Sequence, residues 1–188
     1  MSDETLLELP LKSLHEAAKA RFGGFAGWNM PITYPLGVLK EHLHTRQKAG
    51  LFDISHMKLI EISGPGAIAF LARACPLDPA AIVLGQSKYT FLLNDDAGIL
   101  DDVIVTRLGD DRFMIVANAG NAQADIAHLN QIANGFDAKV DPLDRVLLAL
   151  QGPASQAALE KAGLSLDHLT FMQGVEPREG WFASRSGY

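Results

Sequence analysis

The sequence is that of a 188-residue protein in which 48% of residues are hydrophobic and 20% are charged, with a formal net charge of −6. This length and composition are sufficient for a buried core in one or two domains. The acidic balance argues against a general nucleic-acid binder, because it leaves no basic face to displace the counterions of phosphates.

The single cysteine and the first residues of the chain bear on its compartment. One cysteine, Cys75, excludes an internal disulfide and a metal site built from several cysteines; at the end of an apolar run it is expected to be a small buried residue. Residues 1–20 contain neither a basic leader nor a long apolar segment, which predicts no signal peptide, transit peptide or membrane span. We therefore expect a soluble, cytoplasmic protein.

The first third of the chain predicts a loop and a helix. Residues 24–35 are rich in glycine, aromatic residues and proline, which predicts a loop anchored by the buried ring of Trp28. Residues 36–48 have the apolar spacing of a helix. His42 and His44 are two positions apart on this helix and face away from each other, so a metal site formed by both is not expected.

The middle of the chain predicts the order β-α-β-β-β-α-β. Ser63 is a possible N-cap of the first helix in this order. Hairpins predominate, which predicts an α+β fold with an antiparallel, ferredoxin-like domain. The predicted elements are a strand at 56–63, a helix at 64–75, strands at 87–94, 99–108 and 112–118, a helix at 119–135 and a strand at 136–143.

The last part of the chain predicts a buried strand at 145–153, a helix at 152–163 and a strand at 179–188. A domain rarely ends on an unfinished apolar strand, so we expect the chain to be a fragment. The change in pattern on either side of the middle region predicts two domains. The first is a discontinuous domain at 1–51 and 140–188 that also has an antiparallel sheet. The other is a ferredoxin-like α+β domain at 52–139 that is inserted into it.

Two adjacent carboxylates, Asp101 and Asp102, lie in the otherwise apolar stretch GILDDVIV at 98–105. If the stretch is a strand, successive side chains point to opposite faces, so one Asp projects inward or into a cleft. The alternative is a polar turn over 94–102 in which both carboxylates are solvated. A triad of Asp53, Ser55 and His56 is not expected, since residues so close in one extended stretch cannot converge.

Six short motifs are specific when taken together. They are FAGWNMP (25–31), TRQKAGLFDISHM (45–57), GILDDVIV (98–105), VANAGN (116–121), LALQGP (148–153) and SRSGY (184–188). In this order and at these spacings the sequence resembles the glycine-cleavage aminomethyltransferases, known as T-proteins, from about Leu14 to Tyr188.

The resemblance implies a tetrahydrofolate-dependent aminomethyltransferase of the glycine cleavage system. The family transfers a methylene from the aminomethyl group on the lipoyl arm of H-protein to tetrahydrofolate and releases ammonia. The implied partners are tetrahydrofolate, as co-substrate, and lipoylated H-protein; no metal, nucleic acid or membrane partner is expected. The family continues into a C-terminal barrel, so we expect an N-terminal fragment that is inactive in isolation.

The resemblance also implies the site residues. The key carboxylate of the family is the second Asp of the pair, Asp102, which would be catalytic. Strand alternation then predicts that Asp102 and Ile104 face the folate cavity while Asp101 faces elsewhere. Asp101 could instead cap the preceding turn. The folate-facing positions implied by the family are Met57, Tyr89, Asp102, Ile104, Asn118 and Tyr188.

Two other classes of protein remain open. A folate-dependent demethylase, or the folate domain of an amine oxidase, shares the fold and differs mainly in what donates the one-carbon unit. A non-catalytic folate-binding relative of the iron–sulfur-assembly kind carries a reactive cysteine in a Lys-Gly-Cys-Tyr context, which this sequence lacks. The DISHM and LDDVIV segments resemble the aminomethyltransferases more closely than either alternative.

Overall fold

The structure is a computed structural model that describes residues 5–186. Its strands are β1 (Leu7–Glu8), β2 (Arg21–Phe25), β3 (Trp28–Thr33), β4 (Gly50–Asp53), β5 (Lys58–Ser63), β6 (Ser87–Leu93), β7 (Ile99–Gly109), β8 (Arg112–Ala117), β9 (Lys139–Leu143), β10 (Leu148–Gln151), β11 (Gln173–Val175) and β12 (Ala183–Arg185). Its helices are α1 (Lys12–Ala17), α2 (Val38–Gln47), α3 (Ala67–Ala74), α4 (Ala122–Ala133) and α5 (Ser155–Lys161), with a short 3-10 helix at Pro79–Ala81. No helix in the described range is long and apolar enough to cross a membrane.

The chain forms two compact units. The described residues of unit 1 are 5–56 and 145–165, and those of unit 2 are 57–144 and 166–186. The predicted domains placed 140–188 wholly in the discontinuous first domain, and the structure divides this region differently. The reason is local backbone pairing. The amide of Gly174 donates to the carbonyl of Gly85, and the amide of Ser87 donates to the carbonyl of Met172, each at 2.8 Å. These hydrogen bonds connect the region of β11 to the start of β6.

Unit 2 contains a five-stranded sheet in the order β6-β7-β8-β5-β9, in which every neighbouring pair is antiparallel. The chain order of its elements is the predicted β-α-β-β-β-α-β. Helices α3 and α4 contribute Phe70, Leu71 and Leu129 to one cluster with strand residues such as Ile60 and Val105, all fully buried. The fold is thus α+β with antiparallel sheets, and the core of unit 2 lies between this sheet and its helices.

Strand β7 carries the two adjacent carboxylates, so the alternative of one polar turn over 94–102 is wrong. Val103 and Val105 are buried in the core, and Ile104 between them is not, which is the alternation of a strand with one face covered. Leu92 pairs with Asp101 but Leu93 pairs with Ile99, so the bulge at Leu100 precedes the acidic pair. Beyond the bulge the register with β6 is regular.

The start of α3 differs from the prediction. Ser63 is the last residue of β5, and the N-cap of the helix is Gly66. Gly64 has φ +117°, and a Cβ there would lie 2.7 Å from the backbone oxygen of Asp137. Only glycine fits such a turn, so the chain completes it before the helix begins, and the possible N-cap at Ser63 was wrong.

Unit 1 holds a three-stranded sheet in the order β1-β3-β2 and a two-stranded pair of β4 with β10. The predicted loop at 24–35 is wrong: β2 and β3 form a hairpin, and Trp28 is only partly buried. Ala26 and Gly27 have positive φ angles of 48° and 80°, which is the backbone conformation of a tight hairpin turn. The turn was not predicted because its sequence lacks the usual Asn-Gly signal.

Two further predictions concern burial. The strand predicted as fully buried at 145–153 appears as β10, but it pairs only with β4 in the described chain, and Leu148 is exposed. That prediction was wrong because an apolar run also occurs in strands that are covered on one side. Cys75 is buried at the end of α3, as predicted.

Candidate functional site

The two adjacent carboxylates on β7 lie in opposite environments. Asp101 is 5% exposed and sits on the core face opposite Leu92, while the side chain of Asp102 lies on the other face, where its strand neighbour Phe91 is partly exposed. The expectation that the pair divides between two faces agrees with this geometry. It is Asp101 that projects inward.

Asp101 accepts hydrogen bonds from the loop that follows β8. Its Oδ2 accepts from the backbone N–H of Asn118 at 3.2 Å, and its Oδ1 accepts from the side-chain amides of Asn118 and Asn121, each at 3.0 Å. Burial by itself raises the pKa of Asp101, but these hydrogen bonds, with one from Asp125, hold the pKa below its ordinary value. Asp101 therefore organises this loop and does not cap the preceding turn.

Asp125, in the first turn of α4, is the carboxyl that faces Asp101. It is 2% exposed, and its Oδ2 is buried with no hydrogen-bond partner among the described residues. Burial, then the hydrogen bond and charge of Asp101, raise the pKa of Asp125 to about 7. The pKa of Asp125 is raised and that of Asp101 is lowered, so a proton held by the pair is favoured on Asp125. Sequence reasoning missed this residue, although it shares the buried face of α4 with Ala122 and Leu129.

Asp102 has polar neighbours in Asn118 and Tyr89. The side-chain amide of Asn118 donates to Asp102 Oδ1 at 3.1 Å and to its backbone oxygen at 3.0 Å. Asp102, chiefly through a hydrogen bond, raises the pKa of the nearby Tyr89 hydroxyl, with smaller effects of burial and of the charges of Asp102 and Asp101. Three residues predicted for the site, Tyr89, Asp102 and Asn118, thus lie close together.

The remaining predicted residues lie nearby or outside the described range. Ile104 pairs with Tyr89 across the sheet and lies two residues beyond Asp102, on the same face. Met57 directly precedes β5, whose first residue pairs with Ala117, so it lies at the same end of the sheet as Asn118. Tyr188 lies outside the described residues. The structure brings five of the six predicted residues to one region of unit 2; their roles stay predictions.

Unit 1 has its own polar cluster around Asp53. Asp53 Oδ1 accepts from the backbone N–H and the hydroxyl of Ser55 at 3.0 and 2.5 Å, and its Oδ2 lies 2.8 Å from His15 Nε2. His15 Nδ1 lies 2.8 Å from the Tyr34 hydroxyl. Burial opposes ionisation of Asp53, but the hydrogen bonds from His15 and Ser55 lower its pKa.

This cluster is not a nucleophile triad. The carboxylate of Asp53 lies between Ser55 and His15, whereas a triad places the imidazole between the hydroxyl and the carboxylate. The rings of His56 and Phe25 pack in a T-shaped arrangement with their centroids 5.8 Å apart, and burial lowers the pKa of His56. The rejection of a triad from Asp53, Ser55 and His56 therefore agrees with the geometry, and His15 is the member that the sequence did not reveal.

Comparison with known proteins identifies the family. The model described as the GCVT N-terminal domain matches residues 11–181, so the chain belongs to the GCVT N-terminal domain family. It is 63% identical to the glycine cleavage system aminomethyltransferase T of Bartonella henselae, whose crystal structure superposes with a TM-score of 0.95 over 98% of this chain and 51% of that one. The resemblance inferred from the motifs is confirmed.

Curated relatives agree with this assignment. The chain is 42% identical over 189 residues to the aminomethyltransferase of Herpetosiphon aurantiacus, covering 96% of this chain and 52% of that protein. It is 36% identical over 189 residues to that of Francisella tularensis, covering 97% and 52%. The chain thus spans about half the length of the curated relatives it matches. A heterotetrameric sarcosine oxidase from Corynebacterium shares the fold alone, with 21% identity and a TM-score of 0.51 over 74% of this chain and 71% of that one.

Proposed function

We propose that the protein is a tetrahydrofolate-dependent aminomethyltransferase of the glycine cleavage system. In this proposal it transfers a methylene from the aminomethyl-lipoyl arm of H-protein to tetrahydrofolate and releases ammonia. The observation that carries the proposal is the 63% identity to the Bartonella henselae aminomethyltransferase T across nearly the whole of this chain. The cytoplasm is the compartment we propose, consistent with one buried free thiol at Cys75.

Asp102 is the residue we propose as catalytic. The carbon that is transferred becomes cationic as ammonia departs and a folate nitrogen attacks, and a fixed carboxylate stabilises that charge. At about 4 Å and an effective dielectric constant near 20, the attraction is on the order of 4 kcal/mol. The amide of Asn118 donates to the carboxylate and holds it in place, so little reorganisation is needed when the charge develops.

The surroundings of Asp102 fit a flat heterocycle with N–H groups. Tyr89 is 59% exposed and meets Phe91 edge-on at 5.4 Å, which offers aromatic surface beside the carboxylate. Ile104 extends the same surface with an aliphatic side chain. We propose that Met57, Tyr89, Ile104 and Asn118 contact the folate, and Tyr188 with them.

The substitution Asp102→Asn tests the proposal, because it keeps the shape of the side chain and removes its charge. In the whole protein that carries this sequence, turnover of aminomethylated H-protein with tetrahydrofolate should fall by about one to three orders of magnitude. Asp111→Asn is the matched control, since Asp111 is an exposed carboxylate in the turn between β7 and β8. Equal turnover in the two variants would contradict the role of Asp102.

The donor is tested with unsubstituted protein. Methylenetetrahydrofolate should form only when lipoylated, aminomethylated H-protein is supplied. Efficient turnover of dimethylglycine or of a sulfonium methyl donor would assign the chain to a demethylase class, and tight folate binding without turnover of any donor would assign it to the non-catalytic class. The 188-residue chain alone is expected to be inactive in this assay.

For the fold we propose that residues 57–144 of unit 2 form a ferredoxin-like domain inserted between the two segments of unit 1. The order β7-β8-β5-β9, with α3 and α4 as the helices, supports this proposal because it matches the strand order of that fold, with β6 as an additional edge strand.

A further inference from the structure

A chain of contacts connects the buried end of α4 to Asp102. Asn121, the N-cap of α4, donates its side-chain amide to Asp101 Oδ1 at 3.0 Å and accepts the backbone N–H of Asp125 at its carbonyl, which places Asp125 beside Asp101. Asp101 also accepts the side-chain amide of Asn118. The same amide nitrogen donates to Asp102 Oδ1 at 3.1 Å. A primary amide has two hydrogens on this nitrogen, so Asn118 can serve both carboxylates only while its plane is fixed between them.

The contact between Asp101 and Asp125 requires one proton. Two buried carboxylates at hydrogen-bond distance repel each other strongly when both are ionised, whereas one shared proton gives a strong hydrogen bond. Asp101 accepts hydrogen bonds from the backbone N–H of Asn118 and from the side-chain amides of Asn118 and Asn121, so the negative charge belongs on Asp101. The proton then belongs on Asp125, whose buried Oδ2 faces no donor in the described chain.

We propose that Asp125 is a positioning residue of the site: its proton fixes Asp101 and, through the Asn118 amide, the carboxylate of Asp102. When Asp125 loses this proton, the added negative charge displaces Asp101 and releases the asparagine that holds Asp102. The importance of this link for turnover rests on the role proposed for Asp102. The link itself is a property of the folded chain without any ligand.

Two other charged groups, on the elements packed against α4, are paired elsewhere, and one histidine on α4 itself is not. On α3, Arg73 pairs with Asp95 at 2.6 Å, and on β9, Lys139 pairs with Asp141 at 2.9 Å. His128 lies one helical turn beyond Asp125 and carries a buried Nε2 that has no partner in the described residues. Asp101 is the group whose charge acts on Asp125, so the protonation of this pair is expected to follow a single step.

The ligand-free test follows the side-chain amide resonances of Asn118 in the ¹⁵N-labelled 188-residue chain from about pH 5 to 9. We expect these resonances to move in one step with a midpoint at about 7. In Asp125→Asn, whose amide can donate to Asp101 at every pH, the step should vanish. Asp111→Asn, which changes an exposed carboxylate in the turn between β7 and β8, should keep it. A step that persists in Asp125→Asn, or no step in the unsubstituted chain, would overturn the proposal.

The second test compares pH profiles of turnover in the whole protein. Turnover of the unsubstituted protein should fall above about pH 7, where Asp125 ionises, and Asp125→Asn should remove that fall while keeping neutral turnover within about twofold. Asp125→Ala, which leaves Asp101 without its donor, should lose about tenfold or more at neutral pH. An alkaline fall that is unchanged in Asp125→Asn would contradict the link to Asp102.

The two tests separate the two proposals. If the protein does not turn over tetrahydrofolate with any donor while the Asn118 resonances still titrate and lose the step in Asp125→Asn, the proposed function fails and the positioning of Asn118 by Asp125 stands. If turnover occurs but the resonances do not titrate, the proposed function stands and the positioning role fails.

Discussion

The two units of this chain are stabilised in different ways. Unit 2 encloses a cluster of fifteen buried apolar side chains between its sheet and its helices. In unit 1 Leu9 is the one apolar side chain counted as buried within the described range, and Leu36, Leu39, Leu51 and Phe52 are among those exposed. Unit 1 instead has a buried carboxylate, Asp53, that accepts three hydrogen bonds. Among the described residues, buried apolar side chains are thus concentrated in unit 2, whereas unit 1 holds a buried, hydrogen-bonded carboxylate.

The largest expected effect is a truncation in the core of unit 2. Phe70→Ala should lower the free energy of unfolding of unit 2 by about 3–5 kcal/mol, because the ring is fully buried and leaves a cavity. Leu39→Ala, on the exposed side of α2, should change that of unit 1 by less than about 0.5 kcal/mol. Denaturant titrations can follow each unit by fluorescence, since Trp28 lies in unit 1 and Trp181 in unit 2. Equal losses would contradict the comparison.

A second prediction sharpens the comparison with pH. The pKa of Asp125 is raised to about 7 in the folded state, so the folded state holds a proton that the unfolded chain releases above about pH 4. The free energy of unfolding of unit 2 therefore falls as pH rises from about 4 to 7. Asp125→Asn removes this pH-dependent contribution. The free energy of unfolding of the variant, relative to that of the unsubstituted chain, should therefore grow by about 2–4 kcal/mol from about pH 4 to 7 and then stay level. A constant difference would show that Asp125 ionises normally.

The opposite pH dependence is expected for the carboxylate of unit 1. The pKa of Asp53 is lowered by its hydrogen bonds, so its contribution is present above about pH 4 and is lost as pH falls through the folded-state pKa. Asp53→Asn should cost about 1–3 kcal/mol at neutral pH, since Asn cannot accept all three hydrogen bonds. Thermal unfolding followed by Trp28 should show that this cost shrinks in acid. A cost that is the same at pH 3 and 7 would exclude Asp53 as the source.

The smallest effect is expected at Asp102. Its side chain is exposed, so Asp102→Asn should change the free energy of unfolding of unit 2 by less than about 0.5 kcal/mol. Calorimetry of this variant beside Asp111→Asn measures the difference. A large loss at Asp102 alone would mean that this carboxylate stabilises the sheet, and its proposed role would then be harder to separate from folding.

Unit 2 was well predicted from the sequence because its strands alternate and its turns carry strong signals. The order of its seven elements follows from side-chain periodicity. Periodicity left Asp101 and Asp102 either on a strand or in a polar turn, and the family resemblance favoured the strand that places them on two faces. In unit 1 the helices α2 and α5 and the strand β10 were predicted, but the hairpin of β2 and β3 was not. The turn of this hairpin has two consecutive positive φ angles, at Ala26 and Gly27, and an alanine in a sequence does not predict a positive φ.

The network around the site was beyond sequence reasoning for a different reason. Asp125 and Asp101 are 24 positions apart in the chain, and only the packing of α4 against the sheet brings them together. The same holds for His15 and Asp53 in unit 1. Periodicity indicates which face a residue occupies, but it does not indicate which residue of another element it meets.

The proton on Asp125 gives the native protein a different charge from the unfolded chain. With every carboxyl ionised the formal charge is −6, and retention of one proton makes the folded molecule one unit less negative below about pH 7. At about pH 6 unfolding releases this proton to the buffer. The heat of unfolding measured there should therefore depend on the ionisation enthalpy of the buffer, and in Asp125→Asn this dependence should be smaller by about one proton.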